Sequence, residues 1–243
     1  MLRSIKELIG YKIEASDGEM GKVSDFLFDD ELWVIRYLVA NTGNWLVGRQ
    51  VLISPAAFYG KPRWESEKFP LILTRQMVEE SPDIREDEPV SRQKESEIAA
   101  YYNWPAYWYP VPYRSVNVSA AEKSQDEENG DSHLRSVREV TGYHIEAQDG
   151  SIGHVEDFII DDERWKIMYL VVDTKNWLPG RKVLVSRLWI DEVSWPGSKV
   201  RVDLSREVIE KSPEFDPSKP VNREYEEVLY DYYGRPKYWI EQY

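Results

Sequence analysis

A mainly β protein with α-helical extensions, built as two tandem small antiparallel barrels each followed by one or two helices, is predicted by three features of the 243-residue sequence. The chain is a tandem repeat: IGYKIEASDGEMGKVSDFLFDDELWVIRYLVANTGNWLVGRQVLIS, residues 9–54, returns as TGYHIEAQDGSIGHVEDFIIDDERWKIMYLVVDTKNWLPGRKVLVS, residues 141–186. Each copy opens with short segments of alternating apolar and polar residues, separated by turn signals, as small antiparallel sheets do. The last third of each copy changes to a helical period.

The offset between copies is 132 at Ser54 and Ser186 (186 − 54) and falls by one near Trp64 and Trp195, so that LTRQMVEESP at 73–82 matches LSREVIEKSP at 204–213. The copies cover about residues 4–108 and 136–239. This divides the chain into a first repeat with its helices (1–108), a linker (109–134) and a second repeat with its helices (135–243). Within the linker, VNVSAAEKSQDEENGD at 116–131 is polar and acid-rich, the composition of a flexible tether. The preceding WYPVPYRS, 108–115, is proline-spaced and fits an extended path.

Within a copy, Tyr11, Ile13 and Ala15 alternate with polar neighbours up to Asp17-Gly18, whose twin is Asp149-Gly150, a dipeptide that favours the positive φ angles of a tight hairpin. Val23, Phe26 and Phe28 lead to a second hairpin at Asp29-Asp30-Glu31, before Trp33, Ile35, Tyr37 and Val39 alternate again. Val51 to Ile53 makes a fourth strand, and Leu71 to Leu73, or Val200 to Leu204, a later one. Thr74 and Ser205 are suited to cap a first helix, and Ser91 and Asn222 a second. On that second helix Tyr225, Val228, Leu229, Tyr232 and Tyr233 recur at helical spacing, with Lys94, Glu97, Ile98, Tyr101 and Tyr102 as their weaker counterparts. Asn103 or Gly234 supplies the left-handed residue that ends the helix, and Pro105 or Pro236 stops it from resuming. The octapeptides YYNWPAYW (101–108) and YYGRPKYW (232–239) thus combine a helix end with amphipathic anchors, Tyr107-Trp108 and Tyr238-Trp239. These anchors latch onto their own repeat or meet an outside partner.

The formal net charge of −13 and the lack of any run of three Lys or Arg argue against nucleic acid as a partner. An acidic surface serves solubility and equally suits a basic protein partner. The chain has no cysteine, which excludes disulfides, thiolate metal sites and a cysteine nucleophile. Residues 1–10 place Arg3, Lys6 and Glu7 among apolar residues, so neither a signal core nor a membrane span is expected there, and a cytoplasmic location is the reading.

The glycine before DGEMGKVSDFLFDD, followed by WVIRYLVANTGNWLVGRQVLIS, resembles the PRC-barrel domain, over residues 4–75 and again over 136–205. That family is named for the cytoplasmic part of the photosynthetic reaction-centre H subunit, and also provides the C-terminal half of the bacterial ribosome maturation factor. The resemblance implies a small β-barrel that docks other proteins and has no catalytic residues to carry over. The membrane helix of the reaction-centre subunit and the extra N-terminal barrel of the ribosome factor have no match here, so neither specific role transfers.

The two copies also screen candidate chemistry. His144 and His154 would suit a metal pair, but their twins are Lys12 and Lys22. The trios Asp29-Asp30-Glu31 and Asp161-Asp162-Glu163 lack the spacing of a calcium loop and read as turns. Asp25 and Asp157 lie on strands with no acid–base partner identifiable from sequence. No phosphate loop occurs and the histidines are poorly placed for a triad, so no enzyme activity, cofactor or metal is expected. The recognition candidates are Asn44, Trp45 and Arg49 in TGNWLVGRQV, Asn176, Trp177 and Arg181 in TKNWLPGRKV, and the anchors Tyr107, Trp108, Tyr238 and Trp239. Trp and Arg concentrate binding energy at interfaces; the alternative is that the tryptophans cap the sheet while the arginines pair with nearby carboxylates.

The expectation is a non-enzymatic adaptor of two such modules that holds a protein partner, with the repeats packed as a pseudo-two-fold pair or the chain associating with itself. Alternatives are an accessory subunit of a membrane electron-transfer complex, and a small-ligand binder using its tryptophan-rich surface. Phe26, Trp33 and Tyr37, with Phe158, Trp165 and Tyr169, are expected to point inward and fill two separate closed cylinders.

Overall fold

In chain order the first repeat runs β1 (Leu2–Ser4), α1 (Ile5–Leu8), β2 (Lys12–Ala15), β3 (Gly18–Asp29), β4 (Ile35–Asn41), β5 (Val51–Ile53), β6 (Lys68–Pro70), α2 (Arg75–Glu79) and α3 (Arg92–Tyr102). The second runs β7 (Leu134–Ser136), α4 (Val137–Val140), β8 (His144–Ala147), β9 (Gly150–Asp161), β10 (Lys166–Asp173), β11 (Lys182–Ser186), β12 (Ile190–Ser194), β13 (Lys199–Val202), α5 (Arg206–Glu210) and α6 (Arg223–Tyr233). This is a computed structural model that describes residues 1–47, 49–85, 90–108, 133–174 and 181–240. The linker stretch 116–131 lies outside the described residues.

The chain is mainly β, with two sheets. The first has the order β5-β4-β3-β2-β6 and the second β11-β10-β9-β8-β13-β12. Local signals place most turns as expected: Asp29 Oδ1 accepts the N–H groups of Glu31 (3.1 Å) and Leu32 (2.8 Å), closing the β3–β4 turn. Gly21 and Gly153, at φ 154° and 145°, let the chain of β3 and β9 approach the carbonyls of Asn41 and Asp173 where any Cβ would collide. Thr74, Ser91, Ser205 and Asn222 each accept a backbone N–H at a helix start, and Asn103 and Gly234 end α3 and α6 in the left-handed conformation.

The expected closed cylinders are not formed: each sheet is an open path. The edge of β3 beyond β2 is taken by β7 of the other repeat, with Leu27 opposite Ser136 and Asp29 opposite Leu134. In return β1 pairs with β9, Leu2 opposite Asp161 and Ser4 opposite Ile159. An edge already hydrogen-bonded to a foreign strand has no groups left with which to close on itself. The sheets also depart from the antiparallel expectation, because β2 runs parallel to β6 and β8 to β13. In the first copy the late strand is Lys68–Pro70 rather than 71–73.

The cores are likewise joined, not separate. Phe26 and Phe158 are fully buried, yet Phe26 stacks on Trp165 with ring centroids 6.3 Å apart, and Phe28 meets Phe158 at 6.0 Å. Between the β3–β4 and β9–β10 turns, the N–H of Ile35 donates to the Trp165 carbonyl (2.7 Å) and that of Ile167 to the Trp33 carbonyl (2.8 Å). Tyr37 is buried but does not share the face of Phe26. It packs with Val39, Leu52, Ile84 and Ile98 in a second cluster that includes residues of α3. The reason is register: β3 and β4 pair Leu27 with Tyr37 and Phe26 with Leu38, so alternate residues leave on opposite faces.

The helical faces are rotated from the predicted stripes. On α6 the buried residues are Glu226, Leu229 and Tyr230, whereas Val228 is 57% exposed; on α3 they are Glu95, Ile98 and Ala99. A glutamate at the centre of a buried face breaks the apolar period that the sequence reading followed.

Candidate functional site

Two related constructions organise the molecule: a reciprocal cap that joins the repeats, and an aromatic clasp that folds each octapeptide back onto its own helix. The cap is built from Asp25 and Asp157, both buried on the long strands. Ser4, the N-cap of α1, donates its hydroxyl to Asp157 Oδ2 at 2.5 Å, and the Lys6 N–H donates to Asp157 Oδ1 at 3.0 Å. In the mirror arrangement Ser136, the N-cap of α4, donates to Asp25 Oδ2, and the Arg138 N–H to Asp25 Oδ1 at 3.1 Å. Each carboxylate also accepts the N–H of the residue after it, Phe26 or Phe158. Burial pushes both carboxyls above the usual aspartate range, while the serine and backbone hydrogen bonds oppose that rise. Asp25 and Asp157 therefore have partners in reach, and the groups they hold are structural ones.

The clasps centre on Glu95 and Glu226, 0% and 2% exposed. Glu226 Oε1 accepts hydroxyls from Tyr169 (2.7 Å) and Tyr238 (2.8 Å), and its Oε2 pairs with Arg223 at 3.0 Å. Glu95 Oε2 accepts the Tyr107 hydroxyl at 2.5 Å, with Tyr37 beside it, and Glu95 Oε1 lies 2.7 Å from His133 Nε2 and 3.3 Å from Arg92. Burial first, then the adjacent glutamate charge, raises the Tyr37 and Tyr107 hydroxyl pKa values far above the usual phenol value. Arginines finish both clasps: Arg223 lies 4.1 Å from the centre of the Trp239 ring, and Arg92 4.7 Å from that of Trp108. The four anchors Tyr107, Trp108, Tyr238 and Trp239 are thus half-buried against their own helices. The signal for this was present in the sequence as a glutamate at matched positions of two otherwise apolar stripes.

The loop candidates separate. Asn44 is exposed, and Trp45 is half-buried against the core with Arg75 over its ring at 4.8 Å. Arg49 turns away from Asn44, donating to the carbonyls of Glu79 and Ser81 (2.8 Å each) with Nε 2.8 Å from Asp83. Arg181 donates to the Ser212 carbonyl in the equivalent place. Both arginines hold the last turn of a short helix, α2 or α5, whose carbonyls lack intrahelical partners. Asn176 and Trp177 lie outside the described residues. His144 and His154 face each other across the β8–β9 ladder, and among the described residues no cluster of three or more metal-ligating side chains occurs.

Among the described residues no helix is long and apolar enough to cross a membrane. No curated protein matches the chain. In the second repeat, residues 135–209, from within β7 to within α5, match the PRC-barrel domain model.

Proposed function

We propose that this chain is a non-enzymatic adaptor built from two PRC-type modules, the first repeat being a second, diverged copy of the module matched at 135–209. PRC-barrel domains typically serve as protein-interaction modules, and the elements of the matched module, apart from strand β12, recur in the same order in the first repeat. The carrying observation is the reciprocal exchange of β1 and β7, which makes the two modules one pseudo-symmetric body. TGNWLVGRQV in the first module recurs as TKNWLPGRKV in the second, and two related segments on one body suit a partner with two equivalent contacts or a partner that is itself a dimer. The net charge of −13 favours a basic protein partner over a nucleic acid.

The recognition surface is the 42–47 turn with exposed Asn44 and half-buried Trp45, together with its counterpart at 174–179. Arg49 and Arg181, which hold the ends of α2 and α5, do not meet the partner themselves. Affinity purification of the tagged chain from its native cells tests the reading. A defined protein that is recovered with the wild type and lost with Asn44→Ala plus Asn176→Ala supports it. Recovery unaffected by those changes, or capture of no protein, counts against it.

A further inference from the structure

A cleft of ≈ 370 Å³ lies on the pseudo-two-fold axis, between α1 and α4 and the middles of β3 and β9. Its walls come in twin pairs from the two repeats: Ile5 with Val137, Lys6 with Arg138, Asp25 with Asp157. They are mainly apolar, and the volume is at the small end of the ~300–1,000 Å³ usual for ligand sites.

The charges at its rim are not balanced in the same way on the two sides. Lys6 Nζ is 3.3 Å from Glu156 Oε1, which also receives Lys182 at 2.6 Å. At the position equivalent to Glu156 the first repeat has Ser24, whose hydroxyl is turned to the Val39 carbonyl at 3.1 Å. Arg138 therefore lacks the carboxylate its twin has, and its guanidinium pairs with no other described residue. Asp25 feels the Arg138 charge, but neither aspartate in the wall forms a direct ion pair with that guanidinium. Asp25 spends its oxygens on Ser136, Phe26 and the Arg138 backbone N–H, and Asp157 spends its own on Ser4, Phe158 and the Lys6 N–H.

We propose that this cleft binds a small amphipathic carboxylate, with its head on the Arg138 guanidinium and its aliphatic or single-ring body among Ile5, Ile9, Val137 and Val155. Arg138 is exposed at the rim of the cleft, where its planar guanidinium can take a carboxylate in a two-point contact while the apolar wall holds the body of the ligand. The difference between the two copies is what makes the site: with glutamate at both positions, each cation would be neutralised within the fold.

Titration calorimetry of the full chain with hexanoate, with hexanol and hexylammonium as controls, tests this. Saturable binding of one hexanoate per chain is expected, with weaker binding of both controls. Arg138→Gln keeps the backbone N–H that caps Asp25, so the fold is retained, and it should weaken hexanoate at least ~10-fold. Lys6→Gln should change binding much less, and Ile9→Trp, which fills the mouth, should abolish it. Hexanoate binding unchanged by Arg138→Gln, binding of hexanol as tight as hexanoate, or no saturable binding below about 10 mM would overturn the proposal.

Discussion

The hydroxyl of Ser4 donates to the carboxylate of Asp157 across 153 residues of sequence, and Ser136 repeats the contact to Asp25 across 111. A residue that caps a one-turn helix in one repeat is thereby held by a buried acid of the other. Helices of four residues have no stability of their own, so α1 and α4 exist because they are docked in this way.

The caps should be measurable singly. Ser4→Ala and Ser136→Ala each remove one N-cap and leave a buried carboxylate oxygen short of a donor, and a loss of ~1–2 kcal/mol is expected from each in urea denaturation. Because the two caps share no hydrogen-bonding partner, the double variant should lose about the sum.

Protonation at the same sites gives a pH signature. The folded chain holds the Asp25 and Asp157 protons to higher pH than the unfolded chain, because burial raises both pKa values. Their contribution to stability is thus complete below the unfolded value of about 3.9 and is lost as the pH rises through the folded pKa. Carboxyl-carbon NMR should place both midpoints above the ordinary aspartate value. Asp25→Asn, compared with wild type, should flatten the fall in stability across that window.

Gly21→Ala and Gly153→Ala test the close approach of the long strands to their neighbours. An added Cβ would run into the carbonyl oxygen of Asn41 or Asp173, and φ is positive at both sites. Each substitution should cost more than about 2 kcal/mol, seen as a lowered denaturation midpoint. Gly18→Ala, with open space around it, should cost less.

The aromatic clasps predict an asymmetry between Tyr and Phe. Tyr238→Phe removes one of two hydroxyls from Glu226 while keeping the ring on Tyr230, where the centroids are 5.9 Å apart. A loss of ~1 kcal/mol is expected in thermal unfolding, against ~3 kcal/mol or more for Tyr238→Ala, which also loses the packing. Equal effects of the two would place the whole contribution in the hydroxyl.

Much of this was legible in the residues. The repeat, the caps at Thr74, Ser91, Ser205 and Asn222 and the stops at Asn103 and Gly234 all act through chemistry within a few positions, and local pattern reports it; the first hairpin also forms, but with Ser16-Asp17 and Gln148-Asp149 as its turn and the glycines opening the next strand. Closed barrels do not form because strand pairing is non-local: LRS occurs at 2–4 and again at 134–136, and nothing in those residues says that they form a strand or which sheet it joins. Glu95 and Glu226 were passed over because a glutamate on a helix is ordinarily solvated. Two tyrosines brought by the fold and an arginine one turn away, joined at Glu95 by His133, make its burial tolerable.

Native-state hydrogen exchange tests the interlocked fold most directly, by comparing the slowest amides of Leu38–Ala40 in β4 with those of Leu170–Val172 in β10. With strands exchanged and Phe26 seated on Trp165, both sets should open only in global unfolding, with one free energy and one denaturant slope. Two levels differing by more than about 1 kcal/mol, with one sheet exchanging while the other stays protected, would contradict the account.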